Sequence, residues 1–384
     1  MKKRSVAWCA GVLMSVASLV SAEAAGPLVP RGVLSSSVLG SRAHDLVLND
    51  AGNLAYVATD LGLRIVNISN PDAPTLVPNG SLNLGGRSLG IALKGSHVFV
   101  AAMGADLKVV NVANPSAPAL VASKAIAGNV WDVAIKDDVA YVSTFSGQVY
   151  LFDISSLPNL PQIDVLGLPA WSSAGQDATN LAKLSNYIAT GNAKVAGVSV
   201  AGNNMFAVDW NYGRKYHYDV TDARNPIFRG THYAPFLLRI EGDADGSAVY
   251  SLGAYGGTSG IYSLVIVPLP PETPPFAAYS TRSATCGAIC DYFKSPNTDF
   301  GGLTVTSNGK YVVYIAGKGT GEVRVLDVTN PADIQSHPTN DAKPIGAHGS
   351  RTGESMGVQT RDEFIYTASG LVGLQIFSYD GLSD

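Results

Sequence analysis

The stretch that decides the fold is Leu63-Arg-Ile-Val-Asn-Ile68, which runs directly into the turn Ser69-Asn70-Pro71. Its apolar and β-branched residues are typical of a buried strand, while the Asn and the Pro are typical of the turn that ends one. The same pattern returns at Leu107-Lys-Val-Val-Asn-Val112, Val149-Tyr-Leu-Phe-Asp-Ile154 and Val323-Arg-Val-Leu-Asp-Val328. A pattern that recurs in this way indicates one structural unit copied along the chain.

Each copy places two further strands ahead of this one. The first is a short alternating strand, and the second carries one aromatic residue at a matching position. These aromatic residues are Tyr56, Phe99, Tyr141, Phe206, Tyr250, Tyr314 and Tyr366. Their regular recurrence predicts seven copies of the unit.

A fourth, less regular strand follows, as in residues 74–82 and 118–126. Four antiparallel strands with two apolar faces must stack on neighbouring copies, and radial stacking gives a β-propeller. The last copy stops after its third strand at residues 374–379, whereas residues 32–39 form an orphan strand at the other end. The sequence therefore predicts an all-β fold: a seven-bladed β-propeller of four-stranded antiparallel blades, with the last blade closed by the N-terminal strand.

Composition excludes several classes of protein. Of the 384 residues, 15% are charged, with 26 Lys and Arg against 30 Asp and Glu, and there are 41 glycines. These values argue against long helices and coiled coils. A net charge of −4 without clustered Lys or Arg gives no basis for binding a polyanion, so no nucleic acid partner is expected.

The N-terminus has the three-part pattern of a secretory signal peptide. Basic residues at 2–4 precede an apolar run from 6 to 20, and Ala22 and Ala24 then offer a cleavage site. The run is shorter than the roughly 20 residues that a membrane-spanning helix needs, so no transmembrane segment is expected after signal removal. We assign residues 1–24 to the signal peptide, 25–31 to a short linker and 32–384 to a single propeller domain.

The cysteines agree with export. Cys286 and Cys290 lie in a stretch rich in Gly, Ser and Thr, and they predict a small disulfide loop in an oxidising compartment. A metal site at this pair would need further ligands from elsewhere in the chain. The expected location is periplasmic, extracellular or on the cell surface.

Residues 55–58 and 62–71, together with Val142 and residues 149–155, resemble LVIVD-repeat proteins, a family named for the consensus of the third strand. The resemblance covers nearly the whole mature chain and is strongest in copies one to three and six. Copies four and five depart from it. The resemblance implies a secreted or surface-associated bacterial or archaeal propeller, and it brings no defined catalytic motif.

Long insertions are expected at residues 166–193, 279–299 and 334–354, each directly before a first strand. In a propeller these connections emerge on the same side as the turns between the second and third strands. Loops on a rigid scaffold are the usual place for recognition. The sequence therefore predicts a non-enzymatic binding or scaffold module that takes a protein or envelope component through this face.

Residues at the start of the first strands are expected at the mouth of the axial channel. The binding candidates there are His44, Asp45, Trp131, Asp132, Arg239, Glu241 and Glu354. The carboxylates could hold a divalent cation, which would make the protein a metal-dependent hydrolase or lactonase-like propeller. Asp45, Asp132 and Arg239 could equally form an ion pair across the mouth. No catalytic residue or metal ligand is assigned, and no cofactor beyond that possible cation is expected.

A second alternative is a cell-surface adhesion module that binds glycans. Trp171, Trp210 and Tyr212 are aromatic residues in or beside predicted loops. Such side chains stack on sugar rings or on a partner protein.

Overall fold

A computed structural model of the chain describes residues 28–104, 106–167, 195–209, 214–233, 237–242, 248–255, 258–265, 302–316, 322–327 and 357–383. The proposed signal peptide and the insertions predicted at 279–299 and 334–354 lie outside these residues. Strands dominate the described part, which confirms the all-β prediction.

The described strands form seven antiparallel sheets, most of them four-stranded. The chain opens with β1 (Val29–Ser35) and a short helix, α1 (Ser36–Leu39). The first sheet comprises β2 (Ala43–Leu48), β3 (Leu54–Thr59), β4 (Gly62–Asn67) and β5 (Thr75–Asn83). The second comprises β6 (Ser88–Lys94), β7 (His97–Ala102), β8 (Asp106–Asn111) and β9 (Ala119–Ala125).

The third and fourth sheets follow the same order. The third comprises β10 (Val130–Lys136), β11 (Val139–Thr144), β12 (Gln148–Asp153) and β13 (Gln162–Gly167). The fourth comprises β14 (Val195–Ala201), β15 (Asn204–Asp209), β16 (Arg214–Asp219) and β17 (Ile227–Tyr233). Because β13 ends at Gly167, the first two residues of the insertion predicted at 166–193 belong to a strand.

The fifth and sixth sheets each show three strands within the described residues. The fifth comprises β18 (Leu237–Gly242), β19 (Ala248–Tyr255) and β20 (Thr258–Val265). The sixth comprises β21 (Leu303–Val305), β22 (Tyr311–Ala316) and β23 (Glu322–Asp327). The seventh comprises β24 (Gly357–Arg361), β25 (Phe364–Ser369) and β26 (Gly373–Ser378), with β1 as its outer strand.

The N-terminal strand differs in extent from the prediction. β1 starts at Val29, inside the predicted linker, and residues 36–39 are helical instead of extended. β1 pairs antiparallel with β26, and Val33 lies opposite Gln375. The backbone leaves the strand after Ser35 because α1 turns it over the end of β26, where the Ser36 N–H donates to the Val372 carbonyl at 3.2 Å.

The first strands of consecutive sheets lie side by side. β2 contacts β6, and the contacts continue through β10, β14, β18, β21 and β24, which returns to β2. The hydrophobic core therefore lies between the faces of neighbouring sheets. One cluster joins Phe99 of the second sheet to Phe152 of the third, and another joins Tyr141 of the third to Tyr216 of the fourth.

The repeated aromatic residue of the second strand lies in this core. Six of the seven predicted aromatics have described side chains, and all six are buried: Tyr56, Phe99, Tyr141, Phe206, Tyr250 and Tyr366. The Tyr141 hydroxyl donates to the Ala223 carbonyl of the fourth sheet at 2.6 Å. Burial raises the pKa of Tyr141 well above its ordinary value, so the hydroxyl stays a neutral donor.

The two ends of the sheets differ in chemistry. We call the end with the turns at 60–61, 103–104, 145–147 and 370–372 the upper face, and the end with the turns at 68–74, 112–118, 154–161 and 220–226 the lower face. On the lower face, the Asn or Asp that ends the third strand in each of the first four sheets accepts a backbone N–H two residues on. This bond is 2.9 Å long at Asn67, Asn111, Asp153 and Asp219. The predicted turn role of these side chains is therefore confirmed.

Two arginines tie the N-terminal segment to the first sheet. Arg31 of β1 makes a bidentate pair with Asp72, at 2.7 and 2.9 Å, and this pair lowers the pKa of Asp72. Arg64 of β4 is buried and donates from Nε to the Leu39 carbonyl, the last of α1, at 2.8 Å. The seventh and first sheets are thus joined by polar contacts at both faces.

We predict that Asp153→Asn reduces the loss of stability in acid. The side-chain and backbone donors of Ser155, with Arg224, hold the pKa of Asp153 at about 2, below its ordinary value of 3.8. A carboxyl with a lowered pKa stabilises the fold above its unfolded pKa, and this contribution is lost as the pH falls towards the folded value. The asparagine keeps the turn, as Asn67 and Asn111 do. Thermal unfolding should show a lower Tm near neutrality and a difference from wild type that shrinks between about pH 4 and pH 2.

Arg224→Gln is the matched control, because it removes the ion pair and leaves the Ser155 bonds to Asp153 in place. It should retain part of the pH dependence. A Tm difference for Asp153→Asn that stays constant across this range would contradict the assignment.

Candidate functional site

An extra residue interrupts the start of the first strand in five sheets. The pairing of this strand with the second one shifts register between Ala43 and Asp45, Ser88 and Gly90, Val130 and Asp132, Val195 and Gly197, and Leu237 and Arg239. Such a β-bulge bends a strand and re-aims its side chains. The residues skipped by the register are His44, Leu89, Trp131, Ala196 and Leu238, all at the upper end of a first strand. The bulges therefore set the geometry of the predicted channel mouth.

Asp132 is a buried carboxylate that joins two sheets. Its Oδ1 accepts the N–H of Val133 at 2.9 Å, and its Oδ2 accepts the N–H of Val198, in the fourth sheet, at 3.2 Å. The Asp132 N–H donates to the Ser143 hydroxyl oxygen at 3.1 Å. A buried carboxylate needs such donors, and here backbone amides supply them.

Two glycines allow Asp132 and Asp45 to lie close to the first strand of the preceding sheet. A Cβ on Gly90 would lie 2.4 Å from Asp132 Oδ1, and a Cβ on Gly357 would lie 2.4 Å from Asp45 Oδ1. Asp45 also accepts the Leu46 N–H at 2.8 Å. Each aspartate thus packs against a glycine of the preceding sheet, which gives these two glycines a packing role at the mouth.

Glu241 pairs with Tyr250 near the lower end of β18, so the structure does not bring it to the upper end of the first strands with Asp45 and Asp132, where the sequence predicted it. Its Oε2 accepts the hydroxyl of Ser199, on the fourth sheet, at 3.0 Å. Asp45, Asp132 and Glu241 therefore each bind groups of their own or neighbouring first strands.

His44 lies in a polar cluster that the sequence did not reveal. Its side chain is fully buried, and Nε2 lies 2.7 Å from Asp60 Oδ1 and 3.1 Å from Arg87 Nε. Arg87 Nε is also 3.3 Å from Asp60 Oδ1. One ring nitrogen cannot donate to Asp60 and accept from Arg87 at once, and the close carboxylate favours the N–H form. Asp60 then accepts from both partners, and the cluster joins the first sheet to the second.

Trp131 occupies the matching place in the third sheet. Ala43 pairs with Thr59 as Val130 pairs with Thr144, so Trp131 corresponds to His44 and Phe145 to Asp60. The Trp131 and Phe145 rings stack with centroids 5.0 Å apart and an interplanar angle of 25°. Both side chains are half-buried. The same position is therefore polar in one sheet and aromatic in another.

The remaining candidates fall on other parts of the chain. Glu354, Trp171, Trp210, Tyr212, Cys286, Cys290 and the side chain of Arg239 lie outside the described residues. Across the described ranges, no three His, Cys, Asp or Glu side chains are grouped closely enough to hold a metal ion. The helices in those ranges include none with the length and apolar character to span a membrane.

Sequence comparison identifies repeats in the first three sheets. The family model described as LVIVD repeat matches residues 42–80, 85–125 and 127–161. These matches confirm the resemblance to LVIVD-repeat proteins. No curated protein matches the chain in sequence.

Solved structures with the same fold have little sequence in common with the chain. The β-propeller domain of Cps50 (Swd1) from Myceliophteria thermophila is 12% identical, with a TM-score of 0.63, and the match covers 92% of this chain and 99% of that one. A putative 6-phosphogluconolactonase from Bacteroides uniformis is 13% identical, with a TM-score of 0.56 and coverages of 74% and 80%.

A third match is a functionally unknown protein from Desulfotomaculum acetoxidans, 12% identical, with a TM-score of 0.52 and coverages of 75% and 83%. At these identities the likeness is one of fold. Together with the antiparallel four-stranded sheets, it establishes β-propeller architecture.

We predict that Gly357→Ala destabilises the fold strongly. The added methyl would lie 2.4 Å from Asp45 Oδ1 and 2.5 Å from Asp45 Cα, so the seventh and first sheets would have to separate locally. Overpacking of this kind costs about 1–3 kcal/mol. Denaturant unfolding should show a lower midpoint.

Gly95→Ala is the control, because Gly95 has open space around it and a positive φ of 56°. It isolates the backbone cost of a left-handed residue, about 1 kcal/mol. A smaller effect at Gly357 than at Gly95 would mean that the two sheets do not pack as described.

Proposed function

Because residues 42–161 carry LVIVD repeats on a β-propeller, we propose that this chain is an exported binding or scaffold protein. It takes up a protein or envelope component through its upper face and catalyses no reaction.

The proposed ring has seven blades, and the N-terminal strand closes the last one. Two observations support it. Seven sheets are present among the described residues, and their first strands make contact in cyclic order from β2 to β24 and back. The pairing of β1 with β26 gives the seventh sheet its outer strand. In this position β1 pairs with the edge of β26 that would otherwise be open.

The observation that carries the binding function is that the described acidic candidates on the first strands bind groups of the fold itself. Asp132 accepts two backbone N–H groups, Asp45 accepts another, and Glu241 accepts a serine hydroxyl. These acids hold the first strands in place. Recognition then falls to the turns and connections of the upper face, which are free to vary without disturbing the sheets.

The two ends of one long connection support the choice of that face. Residues 168–194 link Gly167, which pairs with the upper end of β12, to Val195, which pairs with the upper end of β15. We propose that the insertions predicted at 279–299 and 334–354 lie on the same face, because each directly precedes a first strand.

The alternative of a cation-dependent hydrolase remains a prediction. It requires carboxylate oxygens that converge on one ion, including Glu354. The lactonase-like neighbour has 13% identity and supports the fold alone. Elemental analysis decides: a stoichiometric divalent cation in purified protein would favour the hydrolase over the binding module. Glycan binding through Trp171, Trp210 and Tyr212 also remains a prediction, which an array of envelope glycans would test.

We predict that the protein recovered from its producing cells lacks residues 1–24. A signal peptide is removed on export, and an oxidising compartment then joins Cys286 to Cys290. Intact-mass spectrometry should give the mass of residues 25–384 less one hydrogen pair, and reduction should restore that pair. A full-length mass with both thiols free would contradict both proposals.

We predict that replacing residues 168–194 with a short Gly-Ser loop weakens capture of the partner. Both ends of the segment are held by strand pairing, so the sheets should still melt cooperatively with a similar Tm. Capture from the native envelope fraction, quantified by mass spectrometry, should fall by about tenfold or more, which corresponds to ~1.4 kcal/mol. Asp50→Lys on the lower side is the control and should capture as wild type does. Unchanged capture by the loop replacement would refute the assignment of the face.

A further inference from the structure

The chain contains two Asn-Gly pairs, Asn79-Gly80 and Asn308-Gly309. Asparagine is a thermolabile residue because its side-chain amide can be attacked by the backbone nitrogen of the next residue. A following glycine favours this attack, since it has no side chain to restrict the backbone or to shield its nitrogen. In a folded protein, the outcome depends on how firmly the two reacting groups are held. The two pairs differ in this respect.

The first pair lies in an interruption of the outer strand β5. Val66 pairs with Leu76 and Arg64 pairs with Ser81, so residues 77–80 lie opposite Ile65 and outside the register of the two strands. We call residues 77–80 the β5 bulge. A rotation of the backbone within this bulge breaks none of the pairing between β4 and β5.

The side chain of Asn79 is available for reaction. It is exposed, and none of the described residues makes a hydrogen bond with it. The φ of Asn79 is 57°, in the left-handed region, which is unfavourable for a residue that carries a side chain. Less is therefore lost when the backbone leaves this conformation to bring the Gly80 nitrogen to the Asn79 side chain.

The second pair is held at both reacting groups. Asn308 Oδ1 accepts the Thr306 hydroxyl at 2.7 Å and the Lys310 N–H at 3.0 Å. The Gly309 N–H, whose nitrogen would be the nucleophile, donates to the Thr306 carbonyl at 2.9 Å. An attack of Gly309 on Asn308 has to disrupt these hydrogen bonds, so its barrier is higher than at the first pair.

We propose that Asn79-Gly80 is a site of spontaneous deamidation in the folded protein, whereas Asn308-Gly309 is protected. The Gly80 nitrogen loses its proton and bonds to Asn79 Cγ. The bond from Cγ to Nδ2 breaks, and ammonia leaves with that proton, which closes a succinimide ring. Water then opens the ring. Cleavage between the Gly80 nitrogen and Cγ gives aspartate, and cleavage between that nitrogen and the main-chain carbonyl carbon of residue 79 gives isoaspartate.

Both products change the outer strand of the first sheet. Each replaces a neutral amide with a carboxylate, and isoaspartate also adds a methylene group to the backbone. Because the β5 bulge already interrupts the register, the added atom falls where no strand pairing is lost. The aged protein should therefore stay folded and become a mixture of charge forms. This inference is independent of the proposed binding function.

Ageing the folded full-length protein in neutral buffer, below the onset of unfolding, tests the proposal. Peptide mapping by mass spectrometry measures the conversion at each pair, and isoaspartyl methyltransferase with labelled S-adenosylmethionine quantifies isoaspartate. We expect conversion at position 79 to be about tenfold or more faster than at position 308, because hydrogen bonds protect only the second pair. In guanidinium chloride the two pairs should convert at similar rates. Equal rates in the folded protein, or faster conversion at position 308, would overturn the proposal.

A substitution at Thr306 tests the protection of the second pair. Thr306→Val removes the hydroxyl that donates to Asn308 and should speed conversion there by about fivefold, while position 79 converts as in wild type. Thr306→Ser keeps a hydroxyl and is the matched control. Because Thr306 is buried, cooperative melting is checked before ageing, and the wild-type comparison holds without this variant. Unchanged conversion at position 308 in folded Thr306→Val would contradict the protection described.

Asn79→Gly removes the reactive amide and suits the φ of 57° at this position. Isoelectric focusing of the aged variant should show slower growth of acidic forms than in wild type. An unchanged rate of growth would mean that the acidic forms arise elsewhere in the chain, and it would sink the assignment to Asn79.

Discussion

The close approach of the first strands is the constraint on which the rest of the structure depends. Asp132 reaches backbone N–H groups of two sheets, and it can do so because Gly90 of the preceding sheet has no side chain in its way. The same relation holds between Asp45 and Gly357. A side chain at either glycine position would push the neighbouring first strands apart, so the glycine permits their contact. The aspartate carboxylate then accepts the backbone N–H groups that this contact buries. The apolar clusters between the sheets depend on this spacing.

On this scaffold of closely packed first strands, the turns of the lower face are uniform and those of the upper face vary. The lower face repeats one device, a short polar side chain bonded to the backbone two residues on, as at Asn67 and Asp219. The upper face uses one backbone geometry, the β-bulge, to present different chemistry in each sheet. His44 bonds to Asp60 in the first sheet, while Trp131 stacks on Phe145 at the same position in the third. A rigid repeat with variable tips is a common basis for recognition.

The features that could be predicted from sequence are those fixed by local patterns. The third strands, the buried aromatics such as Tyr141 and the turn asparagines each have a signature within a few residues. The partners of His44 did not, because Asp60 and Arg87 are separated from it by 16 and 43 positions and meet only through strand pairing and sheet packing. The stacking of Phe145 on Trp131 could not be predicted for the same reason. The start of β1 was placed late because its partner, β26, lies at the far end of the chain.

That distant partner governs the order in which the fold can be assembled. β1 is the first strand of the described chain to leave the ribosome, yet the residue opposite Val33 is Gln375. The seventh sheet therefore cannot be completed until synthesis is almost finished, and its loop-closure entropy is the largest of any strand pair described. The first three sheets pair only neighbouring strands and can form beforehand. Until β26 arrives, β1 presents an unpaired edge, which can associate with other strands.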